Sequence, residues 1–190
     1  MSASPKVGVL ALQGAFDAHR RALEQVGAHA VLVRTAAELN ACDALVLPGG
    51  ESTTMLKLLN EENLKEPLAD FARHKPVLAT CAGVILLAGK VTHPVQESLG
   101  ILDLTVERNG YGRQIDSRIA PIQLPDGAPF EAVFIRAPVI RSTGPQVTTL
   151  ASRDGHPVLV QQGHHLAATF HPELTEDRRI HQMFLGQLKR

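Results

Sequence analysis

The chain has no tryptophan, one tyrosine and two cysteines among its 190 residues. It has no surplus of charge either: Lys plus Arg is 19, Asp plus Glu is 19, and the net formal charge is zero. Each scarcity removes a class of function. Nucleic-acid binding draws on a basic stripe and stacking aromatics, and the sequence has neither. Cys42 and Cys81 lie far apart and form no CxxC, so they make no disulfide framework. A free reactive thiol implies a reducing compartment. No apolar run approaches the length of a membrane span. The segment Met1 to Lys6 runs straight into an apolar run without signal-peptide anatomy. The expectation is a cytoplasmic protein with no nucleic-acid and no membrane partner. Its length suits one domain, 1–190, with one sizeable core.

Apolar periodicity gives the order of elements. Val7 to Leu12 reads as a buried strand, Ala15 to Val26 as a helix with Gly27 as its C-cap, and Ala30 to Val33 as a second strand. A short helix over Ala36 to Ala41 and a strand over Ala44 to Leu47 follow, then a Pro48-Gly49-Gly50 turn. Ser52 to Leu59 is helical with Ser52 or Thr53 as N-cap, Leu68 to His74 is helical, and Pro76 to Ala79 is the fourth strand. This alternation predicts an α/β fold: a three-layer sandwich, its central sheet mostly parallel, with helices on both faces. Beyond Gly100 six more strands are expected: 101–107, 115–124, 132–136, 147–152, 158–162 and 166–170. Asp154-Gly155 marks a hairpin. The end, Glu176 to Leu188, reads as an amphipathic helix capped by Thr175.

Two segments carry the chemistry. In Ala79-Thr80-Cys81-Ala82-Gly83 one cysteine stands among small residues, between an apolar strand and an apolar helix. A thiol at such a turn sits at the top of a sheet beside a helix N-terminus, which favours the thiolate. Phe170-His171-Pro172-Glu173 supplies a base and its orienter. In an extended segment side chains two apart share a face, so Glu173 reaches the His171 imidazole. Cysteine, histidine and an orienting carboxylate make a nucleophilic triad. Cys42, between a short helix and a buried strand, reads instead as a small core residue.

The Pro48-Gly49-Gly50-Glu51 turn lacks the lysine of a phosphate loop, and Glu51 would repel a phosphate. It reads better as part of an oxyanion hole, with the N–H of Gly50 and the N–H of Ala82 as donors. An arginine beside such a pocket can grip a carboxylate. Arg108, Arg113, Arg118 and Arg136 are candidates, and their spacing does not choose among them. His164 and His165 raise a metal alternative. Adjacent strand residues face opposite ways and no HExxH is present, so no metal site is expected.

These residues together resemble the glutaminase subunit family of pyridoxal 5′-phosphate synthase, within the class I glutamine amidotransferases. The resemblance rests on Val9 to Gly14, Leu47 to Thr54, Thr80 to Gly83, Arg108-Asn109 with Tyr111 to Gln114, Phe134 to Pro138, and Phe170 to Thr175. It runs in order along essentially the whole chain. It implies a flavodoxin-like fold and hydrolysis of L-glutamine to glutamate and ammonia. It also implies a separate synthase subunit that takes the ammonia to build pyridoxal phosphate from a pentose phosphate and a triose phosphate. It implies Cys81 as nucleophile, His171 as general base and acid, and Glu173 as orienter. Gly50, Glu51, Ser52, Arg108, Ile135 and Arg136 match the family's glutamine-binding positions, and Gly50 and Ala82 its oxyanion donors. Gln13 matches a residue near the subunit interface that helps assemble the site. Gly14 beside it permits more than one peptide orientation. No cofactor is implied. Two positions depart from the pattern: Ala79 stands where glycine is usual, and Arg118 where an aromatic is common. Two rival readings keep the fold. One is a small cysteine amidase or peptidase, and the other is a regulatory subunit with a vestigial site.

Overall fold

The computed structural model describes residues 4–110 and 117–188. The first half is a run of strands and helices in alternation: β1 (Lys6–Leu10), α1 (Phe16–Gln25), β2 (His29–Val33), α2 (Ala36–Asn40), β3 (Ala44–Leu47), α3 (Ser52–Glu61), α4 (Lys65–His74), β4 (Val77–Thr80) and α5 (Ala82–Leu87). Then come β5 (Ala88–Thr92), β6 (Leu102–Glu107), β7 (Ser117–Gln123), β8 (Pro129–Ile135), β9 (Val139–Thr143), β10 (Val147–Arg153), β11 (His156–Gln162) and β12 (His165–Ala168). A 3₁₀ turn at Pro172–Leu174 precedes the last helix, α6 (Arg179–Gln187).

The central sheet has seven strands in the order β10-β11-β12-β4-β3-β1-β2. From β12 to β2 all neighbours are parallel, and β10 and β11 add an antiparallel edge. Its inner strands are buried on both faces, and the two-residue period divides them between two cores. Leu45, Leu47, Val77 and Ala79 point to the side covered by α2, α3, α4 and α5. Ala44, Val46, Leu78 and Ala168 point to the side covered by Leu23 of α1 and by Ile180 and Phe184 of α6. A second sheet, β5-β6-β9, packs with the first core, and the β7-β8 hairpin with the second. The expected three-layer α/β architecture is therefore present.

Several boundaries differ from expectation. Strands β5 and β9 were not foreseen: β5 follows directly on the apolar helix α5, and β9 is a short strand in a loop-like sequence. Residues 115 and 116 of the strand expected over 115–124 lie outside the described residues, as does the whole Tyr111 to Gln114 block with Arg113. The last helix begins at Arg179, not at Glu176. Thr175 does not cap it. Its hydroxyl accepts from the Asp177 N–H at 3.2 Å, and Asp177 in turn accepts from the Arg179 N–H at 3.0 Å. Two local side-chain turns thus replace the first helical turn. Asp154 and Gly155 both take positive φ, 50° and 76°, as the expected two-residue hairpin between β10 and β11 requires. Ala79 lies within β4 without positive φ, so alanine costs nothing there. Arg118 is exposed on β7 opposite Phe134. Cys42 is a buried core residue, as expected.

Candidate active site

The carboxyl ends of β1, β3, β4 and β12 converge, as ligand sites on open parallel sheets do. At the end of β4, Cys81 is the single residue between strand and helix. Its φ of 47° and ψ of −107° lie where side-chain-bearing residues rarely go, a strain of about 1–3 kcal/mol. The surroundings hold it there. The Cys81 N–H donates to the Ala168 carbonyl at 2.9 Å, and its own carbonyl accepts from Val84 at 3.0 Å. A side chain at Gly83 would run into the Leu47 carbonyl, so α5 lies against β3 only because glycine is there. Cys81 Sγ lies 3.8 Å from the Ile135 carbonyl, at the end of β8. Ala82 opens α5, so no preceding helical turn claims its N–H.

His171 meets Glu173 by a different route from the one expected. Strand β12 ends at Ala168, and Pro172–Leu174 is a 3₁₀ turn. The pair is therefore brought together by a turn and not by an extended strand. His171 Nδ1 lies 2.7 Å from Glu173 Oε1, and the Glu173 side chain is fully buried. The segment is pinned by the His171 N–H donating to Val133 at 2.8 Å, and by Phe170 packing on Phe130 and Phe134. Burial disfavours a charged His171 ring, but hydrogen bonds to Cys81 and Glu173 overcome it and raise its pKa to about 10. Burial likewise works against the Glu173 carboxylate, yet the His19 and His171 rings hold it below the usual range.

The loop after β3 faces both. A methyl on Gly49 would stand 2.5 Å from His171 Cε1 and 3.1 Å from Cys81 Cβ, so one small gap separates the thiol from the imidazole. The Gly49 carbonyl accepts from the Ala15 N–H at 3.1 Å, which turns the Gly50 N–H of that trans peptide to the other side. Gln13 Oε1 accepts from the Glu51 N–H at 2.9 Å. Gly14 has φ of 93°, and a side chain on it would strike the Gly49 carbonyl. Gln13, Gly14 and Ala15 thus form a clasp on the Pro48–Glu51 loop.

Glu51, not Ser52 or Thr53, caps α3: its carboxylate accepts from the N–H groups of Thr53 and Thr54 at 3.2 and 2.7 Å. Burial works to raise its pKa, but hydrogen bonds from Thr53 and Thr54 take it down to about 2. Arg108 Nη2 reaches Glu51 Oε1 at 3.2 Å, placing a guanidinium on this rim. The buried Ser52 commits its hydroxyl to Gln96 at 2.9 Å. Ile135 sits beside the thiol, and the exposed Arg136 after it has a φ of 42°. His164 lies in the turn before β12, so its ring does touch His165, with centroids 4.4 Å apart. The opposite-faces expectation fails for this pair. Among the described residues no group of three possible metal ligands occurs.

A model of the SNO glutamine amidotransferase family matches residues 9–190. This chain belongs to that family. It is 58% identical to the pyridoxal 5′-phosphate synthase subunit PdxT of Solibacter usitatus, over 96% of this chain and 99% of that protein. It is 54% identical to the PdxT of Deinococcus radiodurans, over 95% of each. A crystal structure of a glutamine amidotransferase superposes with a TM-score of 0.90 at 44% identity, covering 97% of this chain and 99% of that one. The fold and family expected from the sequence are both borne out. Among the described residues no helix is long and apolar enough to cross a membrane.

Four residues at the site were not legible in the sequence. Gly49 was read only as a turn residue. Thr80 stands in the cysteine motif, but nothing there shows that its hydroxyl meets a histidine. His19 and His181 are buried around Glu173, and nothing in their spacing marks them. A histidine on a helix looks the same in sequence whether it meets water or a carboxylate.

Proposed function

We propose that Cys81, His171 and Glu173 hydrolyse the side-chain amide of L-glutamine, releasing ammonia to a separate pyridoxal 5′-phosphate synthase subunit. The observation that carries this is the strained Cys81 elbow set against an imidazole whose Nδ1 is 2.7 Å from a buried carboxylate. Cys81 gives its proton to His171, and the thiolate attacks the amide carbon. The N–H groups of Ala82 and Gly50 receive the developing oxyanion. His171 returns the proton to the departing nitrogen, which leaves as ammonia. It then takes a proton from water, whose oxygen attacks the thioester, and glutamate leaves with Cys81 restored. Acid–base help of this kind is worth about 10²–10⁴ in rate.

Arg108 and Arg136 hold the α-carboxylate. Glu51, Ser52 and Ile135 complete the glutamine site with Gly50. The Arg108–Glu51 pair favours a zwitterionic amino acid over an extended peptide. The names of the relatives support the partner. Gln13 and Gly14 couple hydrolysis to it, because they hold the loop that carries Gly49 and Gly50. Free thiols at Cys42 and Cys81 suit a cytoplasmic setting.

The test is glutamate release by the native chain and by Cys81→Ala, each alone and with the synthase subunit. Rates should rise with the partner, and Cys81→Ala should lose about 10⁴-fold or more. Substantial activity in folded Cys81→Ala would overturn the mechanism. A free subunit already at full rate would overturn the coupling.

A further inference from the structure

Behind the triad lies a fully buried polar cluster that the mechanism above does not use. Glu173 offers Oε1 to His171, and its Oε2 lies 3.2 Å from His19 Nε2. The same His19 nitrogen is 3.1 Å from Thr80 Oγ1, on the residue before Cys81. On its other side His19 Nδ1 is 3.0 Å from His181 Nε2, on α6. His19, Thr80 and His181 are all without solvent exposure.

The proton positions follow from the partners. Glu173 Oε2 accepts no hydrogen bond among the described residues, and its 3.2 Å approach to His19 Nε2 is a charge–dipole contact. A buried carboxylate oxygen needs the positive end of a dipole beside it, so His19 carries its proton on Nε2, which bonds Thr80 Oγ1 and faces Oε2. His19 Nδ1 is then a bare acceptor, which His181 fills with its Nε2–H. His181 Nδ1, without a partner among the described residues, is left as a lone pair. The opposite arrangement would bury an unpaired N–H, and a bare nitrogen would face the carboxylate. Burial lowers the pKa of both rings, that of His181 to about 3, so both are neutral donors. The charged and titratable groups facing them are Glu173, His171 and Arg178. The chain of bonds cannot export a proton, since it ends on a dead lone pair. It is a fixed row of dipoles aimed at the carboxylate.

We propose that His19, braced by His181, is a positioning residue that ties the Cys81 elbow to the His171–Glu173 pair through its one Nε2 nitrogen. This rests on the triad reading above. One nitrogen contacts both halves of the site: Thr80 fixes the end of the strand bearing the nucleophile, and Glu173 Oε2 fixes the carboxylate that orients the base. The Nε2–H dipole beside Oε2 resists rotation of the carboxylate, so Oε1 stays on His171 Nδ1. His19 sits one turn into α1, where its N–H donates to the Ala15 carbonyl at 3.3 Å. The Ala15 N–H holds Gly49, so the same turn of α1 also carries the loop in front of the site.

Three substitutions separate positioning from mere packing. In His19→Gln the side-chain amide nitrogen takes the place of Nε2 and still reaches Glu173 and Thr80. In His19→Asn the amide nitrogen takes the place of Nδ1 and faces His181 instead. His19→Phe keeps the ring and removes both nitrogens. Losing a dipole held against a buried charge is taken on the scale of a charged hydrogen bond, about 10- to 100-fold in rate. We expect kcat for glutamine, measured in the complex with the synthase subunit, to fall by that factor in Asn and Phe. KM should change little, and Gln should remain near native. The alkaline limb of Cys81 alkylation by iodoacetamide should move to lower pH in Asn and not in Gln, because a loosened carboxylate holds the His171 charge less well. If His19→Phe does not fold, the comparison of Gln with Asn decides. Equal kcat in Gln and Asn, or native kcat in Phe, overturns the proposal. Activity surviving in Cys81→Ala overturns the triad reading instead.

Discussion

Gly49→Ala is the sharpest probe of the geometry in front of the triad. The added methyl would lie 2.5 Å from His171 Cε1 and 3.1 Å from Cys81 Cβ. Carbon atoms rest at about 3.5–4.0 Å. The ring must therefore give way by about 1 Å or more. It has little room to do so, since Glu173 holds Nδ1 at 2.7 Å and Val133 holds the main chain at 2.8 Å. A displacement of about 1 Å at a reacting group costs on the order of 10²-fold, or roughly 2.7 kcal/mol in the barrier. The backbone itself is tolerant, because Gly49 does not take positive φ. Overpacking then costs about 1–3 kcal/mol, which lowers Tm by roughly 2–12 °C in a chain of this size. The assay is glutamate release in the presence of the synthase subunit, with circular dichroism to confirm folding. Activity falling about 100-fold in a folded protein is the expected result. A folded variant within about threefold of native would refute the placement of Gly49 between thiol and imidazole.

Arg108→Ala should raise KM for glutamine by about 10-fold or more while kcat changes little, because carboxylate binding is common to ground and transition states; an unchanged KM removes Arg108 from the substrate site. The buried His165, His181 and His19 have depressed pKa values, to about 4 and about 3 for the first two. Between pH 6.5 and about 4 the unfolded chain binds protons that the folded chain refuses, so stability falls as pH drops, by up to about 1.4 kcal/mol per pH unit for each ring. His171 acts at the other end: its raised pKa stabilises fully below about 6.5, and that is lost as pH rises through about 10. Urea unfolding should therefore show a maximum near neutrality, and a flat profile from pH 7 to 5 would count against neutral buried histidines. Gly186→Ala, on the exposed side of α6 with nothing within 4 Å of the new methyl, should stabilise by about 0.5–1 kcal/mol and raise Tm by about 1–4 °C; a lower Tm would show an unseen constraint at the helix end.

The sequence by itself determined the α/β alternation, because strands buried on both faces must be apolar throughout and helices apolar on one stripe. It also marked Cys81 and the His171–Glu173 pair, because a small-residue turn and a His-Pro-Glu run are local features. The hairpin at Asp154-Gly155 was legible for the same reason. What only the tertiary structure decided is non-local. Strands β5 and β9 exist because β6 lies between them to pair with. The capping of α3 by Glu51 and the replacement of a helical turn after Thr175 depend on which competing side chain wins a few N–H groups. Gly49 matters because His171, more than a hundred residues away, is folded against it. His19 and His181 read as ordinary helix positions until Glu173 is buried beside them, since a polar group removed from water must find its partner in space and not in sequence.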